Sequence, residues 1–120
     1  MSEIRADTIS DAAGTGPIAL TKQSAAKAWA NSNATGTSLN ESFNISSLVD
    51  VTSGQQGFNF TNAMSSANYS GAATNGNSSI PDGSFFVINS SSRVDGRSLR
   101  FDNSTFSDQP QRIIVIGDLA

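Results

Sequence analysis

The side chains able to do chemistry in this sequence are few and of few kinds. There is no His and no Cys, which removes the commonest general base, the commonest zinc ligand, and every thiolate or disulfide. Carboxylates, Lys and the single tyrosine, Tyr69, remain. The acids Glu41, Asp50, Asp82, Asp95, Asp102 and Asp108 are scattered, and most flank Gly, Pro, Ser or Asn. In that context an Asp side chain most simply caps a turn. Two of them brought together by a fold would make a glycosidase pair, but nothing in their spacing joins them. Asp95-Gly96-Arg97 puts a cation where a calcium loop wants an oxygen ligand. Gly14-Thr15-Gly16 fits no complete phosphate-binding pattern and is a linker. The expectation is a protein with no catalytic residues, no cofactor and no metal site: not an enzyme.

Binding is the chemistry left open. Neutral Ser/Asn/Gly loops with one aromatic can offer adaptable hydrogen bonds to a polar partner such as a surface glycan. The stretch around Asn68, Tyr69, Asn75 and Asn77 is the candidate receptor-facing loop, although any solvated loop has the same composition.

The elements that must position these residues belong to one domain of 120 residues, long enough for a modest core. Only 14% of residues are charged, where about a quarter is usual. Ser, Thr, Asn and Gly take their place, which suits antiparallel β-structure and crowded assemblies. A net charge of −3 leaves no basic patch for nucleic acid. Met1-Ser-Glu-Ile-Arg5 lacks an apolar signal core, and no run approaches the roughly 18 apolar residues of a membrane span. The expectation is a soluble protein made in a cytoplasm, with Asn-X-Ser/Thr triplets such as Asn44-Ile-Ser46 arising by chance.

Along the chain, Glu3 to Ile9 alternates loosely, and Ile4, Ala6, Thr8 and Ile9 make a docking arm or an edge strand of the same domain. Residues 1–19 thus form an arm and linker. Leu20 to Trp29 is the only run of good helix formers without Gly or Pro, and it predicts a short helix over residues 20–31 with Thr21 as N-cap. Ala25, Ala28 and the sole tryptophan, Trp29, would then share one face. Residues 38–120 read as an antiparallel β-sandwich or small barrel. Its expected core is Phe43, Phe58, Phe60, Phe85, Phe86, Phe101 and the terminal run Ile113 to Ile116. Phe43 and Ile45 are expected on one face, with turns at Ser53–Gly57, Pro81–Gly83 and Asp95–Gly96. Phe85–Ile88 and Gln111–Ile116 read as strands covered on both faces. A strand as apolar as Gln111–Ile116 needs a central place or an interface.

The order of several segments also carries a resemblance. Ser2-Glu-Ile-Arg-Ala-Asp-Thr-Ile9, Ala12-Ala-Gly-Thr-Gly-Pro17 and Leu20-Thr-Lys-Gln-Ser-Ala-Ala-Lys-Ala-Trp29 open the chain. Ser42-Phe-Asn-Ile-Ser-Ser-Leu48, Phe60-Thr-Asn-Ala-Met64, Ala67-Asn-Tyr69 and Gly117-Asp-Leu-Ala120 follow. Together these resemble phage tail-fibre-like proteins of the kind found in phages of cyanobacteria and marine bacteria. The sequence departs from that pattern at Asn31–Asn33 and Val51–Gln56. The resemblance implies a mainly β virion structural protein, trimeric, located at the tail or baseplate and contributing to host attachment. It implies other virion proteins as partners and carries over no functional residue. In a three-fold assembly Ala25, Ala28 and Trp29 would form the inter-chain seam; the rival is packing on their own sandwich. A capsid decoration (head-fibre) protein on the capsid exterior would use the same arm-plus-body plan. A glycan-cleaving appendage enzyme is the third reading, and would need a deep acidic groove.

Overall fold

The structure is a computed structural model that describes residues 25–76 and 82–120; the arm residues Ile4, Ala6, Thr8 and Ile9 and the first part of the expected helix lie outside them, as does Asn77. Eight strands make up the described residues: β1 Ala28–Ser32, β2 Leu39–Phe43, β3 Ile45–Thr52, β4 Gln55–Phe60, β5 Ser70–Asn75, β6 Asp82–Ser90, β7 Arg93–Arg100 and β8 Gln111–Ile116. They form two four-stranded antiparallel sheets in the orders β2-β1-β8-β5 and β3-β4-β7-β6. The protein is therefore mainly β, with no helix among the described residues.

The expected helix gives way to a strand over its second half. Ala28–Asn31 pairs with β2 on one side and β8 on the other. Ala favours a helix by only about 0.5 kcal/mol per residue over most alternatives, and a run this short cannot nucleate one unaided. Two ladders and a buried face outweigh that preference. Among the described residues the first strand consequently begins at Ala28, ten residues ahead of the β body's expected start at 38. Residues 20–24 lie outside the described residues.

Between the sheets the interior has an apolar half and a polar half. Ala28, Ala30, Ile45, Phe58, Phe60, Met64, Tyr69, Val94, Ile113 and Val115 form the apolar half. Ser32, Gln56, Ser98 and Gln111 are buried beside it, with Asn75 at their edge. The Gln56 amide donates to the carbonyls of Asn33 and Ala34 (both 3.0 Å) and Gln109 (3.2 Å), while Ser32 Oγ donates to its Oε1. Gln111 Nε2 reaches Ser98 Oγ, which in turn donates to Asn75 Oδ1 at 2.6 Å. These amides tie one sheet to the other. One glycine makes room for a tie, since a Cβ on Gly96 would collide with the Gln111 amide; another, Gly71, makes room for the Phe86 ring in the core.

The chain crosses from the first sheet to the second at one residue. β2 ends at Phe43, β3 begins at Ile45, and Asn44 between them has φ +56°. Asn tolerates this left-handed backbone better than other side chains. Its Nδ2 donates to the carbonyls of Lys27 (2.9 Å) and Asn62 (3.1 Å), and its Oδ1 accepts from the Asn62 N–H at 2.7 Å. The corner breaks the alternation that would place Phe43 and Ile45 together: Ile45 is buried and Phe43 is 54% exposed.

Other expectations shift for related reasons. Asp95–Gly96 is no turn but the middle of β7, and the hairpin turn falls at Ser91–Ser92. The turn at residues 53–57 shrinks to Ser53–Gly54, with Gly54 at φ +72°. Asp82 and Gly83 already belong to β6, while Pro81 lies outside the described residues. Phe58 and Phe60 are core as expected and Phe86 packs against it, but Phe85 and Phe101 are exposed. Gln111–Ile116 is central in its sheet yet covered on one face alone: Ile113 and Val115 point in, Ile114 and Ile116 out. Phe85–Ile88 is likewise covered on one face alone: Phe86 packs against the core, while Phe85 is exposed.

Replacing Asn44 by Ala should destabilise the domain by about 2–4 kcal/mol, the sum of a left-handed backbone penalty and two or three lost hydrogen bonds. Asn44→Gly should recover about 1 kcal/mol of that, since Gly accepts the backbone but not the bonds. Urea denaturation of both variants checks the ordering.

Candidate binding surfaces

Of the three residues expected to share a helical face, the structure separates two from the third. Ala28 is fully buried between the sheets, Trp29 points the other way, and Ala25 is exposed ahead of β1. Alternation in a strand, with period two, makes Ala28 and Trp29 opposite by necessity. Trp29 gains different company. It stands opposite Phe43 on β2 and opposite Ile114 on β8, and Ile114 stands opposite Ala72 on β5. The row Phe43–Trp29–Ile114–Ala72 thus crosses the whole outer face of the sheet.

Ile116 extends this row along β8, and an apolar hollow of about 330 Å³ opens beside it, lined by Ala26, Ser70, Gly71, Ala72, Ile114 and Ile116. The neighbouring row is polar: Glu41, Asn31, Arg112 and Thr74 are successive partners across the same four strands. An apolar stripe with both charge signs on its rim is therefore open on this sheet.

Neither aromatic nor amide of the expected receptor-facing loop behaves as a set. Asn68 is exposed. Tyr69, only 4% exposed, is part of the core. Its ring meets Phe60 edge-on at 5.7 Å and Phe86 at 6.3 Å, and its hydroxyl lies 2.9 Å from the Ser90 carbonyl and 2.8 Å from that of Arg93. Asn75 faces the interior, where its Oδ1 accepts from Ser84 and Ser98. Tyr69 is drawn in because the loop before β5 closes one end of the sandwich, where Met64 bridges Leu119.

The acids are mostly engaged. Asp95, 1% exposed, takes a two-pronged bond from Arg93 (2.7 and 3.1 Å) and a third from Gln55 Nε2 (2.8 Å). The Arg93 guanidinium lies over Gly57, where a Cβ would displace it. Asp108 accepts the Gly54 N–H at 2.6 Å. Arg100 donates to Asp102 and holds its carboxyl below the usual carboxylate range. Among the described residues no three acids converge on a point where a metal could sit.

The chain matches no protein-family model, no curated protein and no solved structure. Its surfaces must be read from their own chemistry. The exposed row was partly legible: an apolar run without alternation signals that both faces of β8 need cover. Phe43 could not be placed without knowing the corner at Asn44.

Burial pushes the Tyr69 phenol up to about 12, and the Asp95 carboxylate adds in the same direction. An unfolded chain gives up this proton near pH 10 while the folded chain keeps it. The contribution is whole below pH 10 and is lost as pH rises through about 12, amounting to about 2–3 kcal/mol. Denaturation midpoints measured at successive pH values should fall over that window. Tyr69→Phe should lose about 1 kcal/mol at neutral pH and show a flatter alkaline limb. Because Tyr69 is the only tyrosine, phenolate absorbance titrates it alone.

Proposed function

We propose that this protein is a virion structural subunit, part of a phage tail fibre or tail/baseplate appendage, that works by assembly and not by catalysis. In this reading it self-associates, as a trimer, through the outer face of the β2-β1-β8-β5 sheet. The N-terminal residues dock on another virion protein, and the second sheet is left for contact with the host. One observation supports this above others: the row Phe43–Trp29–Ile114, whose outer members are 54% and 49% exposed. Aliphatic and aromatic side chains aligned across three strands are the composition of an interface core, and a contiguous patch of this kind is rare on a monomer. Glu41 and Arg112 on the adjoining row offer opposite charges to a symmetry-related copy. The resemblance of the segments from Ser2 to Ala120 supplies the virion context.

The seam therefore rests on Trp29 with Phe43 and Ile114, and no longer on Ala25 and Ala28. Sedimentation of the wild-type chain should give an oligomer, and Trp29→Ala combined with Ile114→Ser should give monomers with unchanged circular dichroism. Unchanged mass in the double variant would remove the interface. Gold-labelled antibody on intact particles tests the location: label at the tail or baseplate supports an appendage, and label over the head makes it a capsid decoration protein.

A further inference from the structure

The outer face of the other sheet carries a second feature, independent of the row above. Arg93, Asp95 and Arg97 follow one another along this face of β7 at strand spacing. Asp95 is already saturated by Arg93 and Gln55, so the column holds two cations for one carboxylate. Arg97 is the cation left over. Its Nε is buried and has no hydrogen-bond partner. A buried unmatched donor on a charged group is costly, and such a group calls for an explanation.

The surroundings of Arg97 suggest one. A hollow of about 240 Å³ on one side is lined by Thr52, Ser53, Gln55, Arg97 and Phe106. Another of about 260 Å³ on the other side is lined by Phe85, Val87, Arg97, Leu99 and Phe106. Arg97 and Phe106 belong to both. Phe85 and Phe106 are 45% and 49% exposed, and Phe106 is pinned by its bridge to Leu99. The chain after β7 folds back beside it, with the Arg100 N–H donating to the Thr105 carbonyl at 2.9 Å. The result is an arginine that stands opposite the half-open Phe85 across the β6–β7 pair and shares both hollows with the half-open Phe106, with hydroxyls at one end.

We propose that this cleft is a binding site for a monoanionic, carboxylate-bearing sugar, a uronic acid unit of an acidic polysaccharide. The planar fork of Arg97 matches a carboxylate in two-pronged geometry through its two terminal N–H groups. The faces of Phe85 and Phe106 accept the C–H side of a sugar ring, and Thr52 and Ser53 offer hydroxyls to its polar edge. One surplus positive charge fits a carboxylate better than a phosphate dianion, since no helix terminus or second free cation adjoins it among the described residues. The net charge of −3 opposes general attraction of polyanions, so retention must come from this local contact.

Titration calorimetry with oligogalacturonate tests the site on the full chain, with a neutral galactan oligomer and benzoate as comparison ligands. The expected result is binding of oligogalacturonate that weakens with added salt, and no binding of the neutral oligomer. Arg97→Gln should weaken it at least tenfold, and Phe106→Ala, which leaves the charge in place, should weaken it severalfold. Thermal melts of both variants distinguish a lost contact from a lost fold. Absence of oligogalacturonate binding, or binding that Arg97→Gln leaves unchanged, overturns the proposal. Binding of benzoate without oligogalacturonate also overturns it, by making the cleft a site for an apolar carboxylate and not a sugar.

Discussion

The arrangement of this protein depends on a single backbone conformation, that of Asn44. One residue at φ +56° carries the chain from the edge of one sheet to the edge of the other without a loop. Its side chain does the work of a longer connection, bonding to Lys27 ahead of β1 and to Asn62 after β4. Two strand ends and a corner are thereby held at one point. The same residue decides which side chains are available outside: Ile45 is sent into the core, and Phe43 is left opposite Trp29 on the surface.

Holding two sheets together with so few large apolar residues is the second constraint. The apolar cluster fills one end of the interior, and at the other end primary amides replace hydrocarbon. Gln56 and Gln111 reach across the gap between sheets to groups that would otherwise be buried unpaired. A polar interior of this kind costs little only where its members are satisfied, and here Gln111 Oε1 and Asn75 Nδ2 are buried without a partner. It specifies register tightly, because shifting a strand by one residue would strand every amide at once. The high Ser and Asn content thus belongs to the inside of the fold as much as to its surface.

Much of this was legible in the sequence, and the failures have identifiable causes. Phe58 and Phe60 alternate with polar residues and are core, and the terminal apolar run does lie in the middle of a sheet. The helix expected up to residue 31 failed because an Ala-rich local preference is weak beside two flanking ladders. Asp95–Gly96 looked like a turn because those residue types make turns. In the fold the Asp is needed as a partner for Arg93, and the Gly as space for Gln111. Tyr69 and Asn75 looked like loop chemistry because burial of a polar side chain depends on partners distant in sequence, such as Ser84 and Ser98. Arg97 gave no signal at all, since its neighbours Phe85 and Phe106 meet it only through strand pairing and a returning loop.

The central claim is that the open face bearing Phe43, Trp29 and Ile114 is covered by another copy of the chain. Trp29 is the only tryptophan, so its fluorescence reports on that face without labelling. The decisive measurement is Trp29 emission and iodide quenching across a dilution series, with circular dichroism followed in parallel. The account predicts blue-shifted, protected emission at high concentration that turns red-shifted and quenchable on dilution while the β signal stays constant. Emission and quenching that do not change with concentration would contradict it, and would leave Trp29 either bare on a monomer or covered by its own chain.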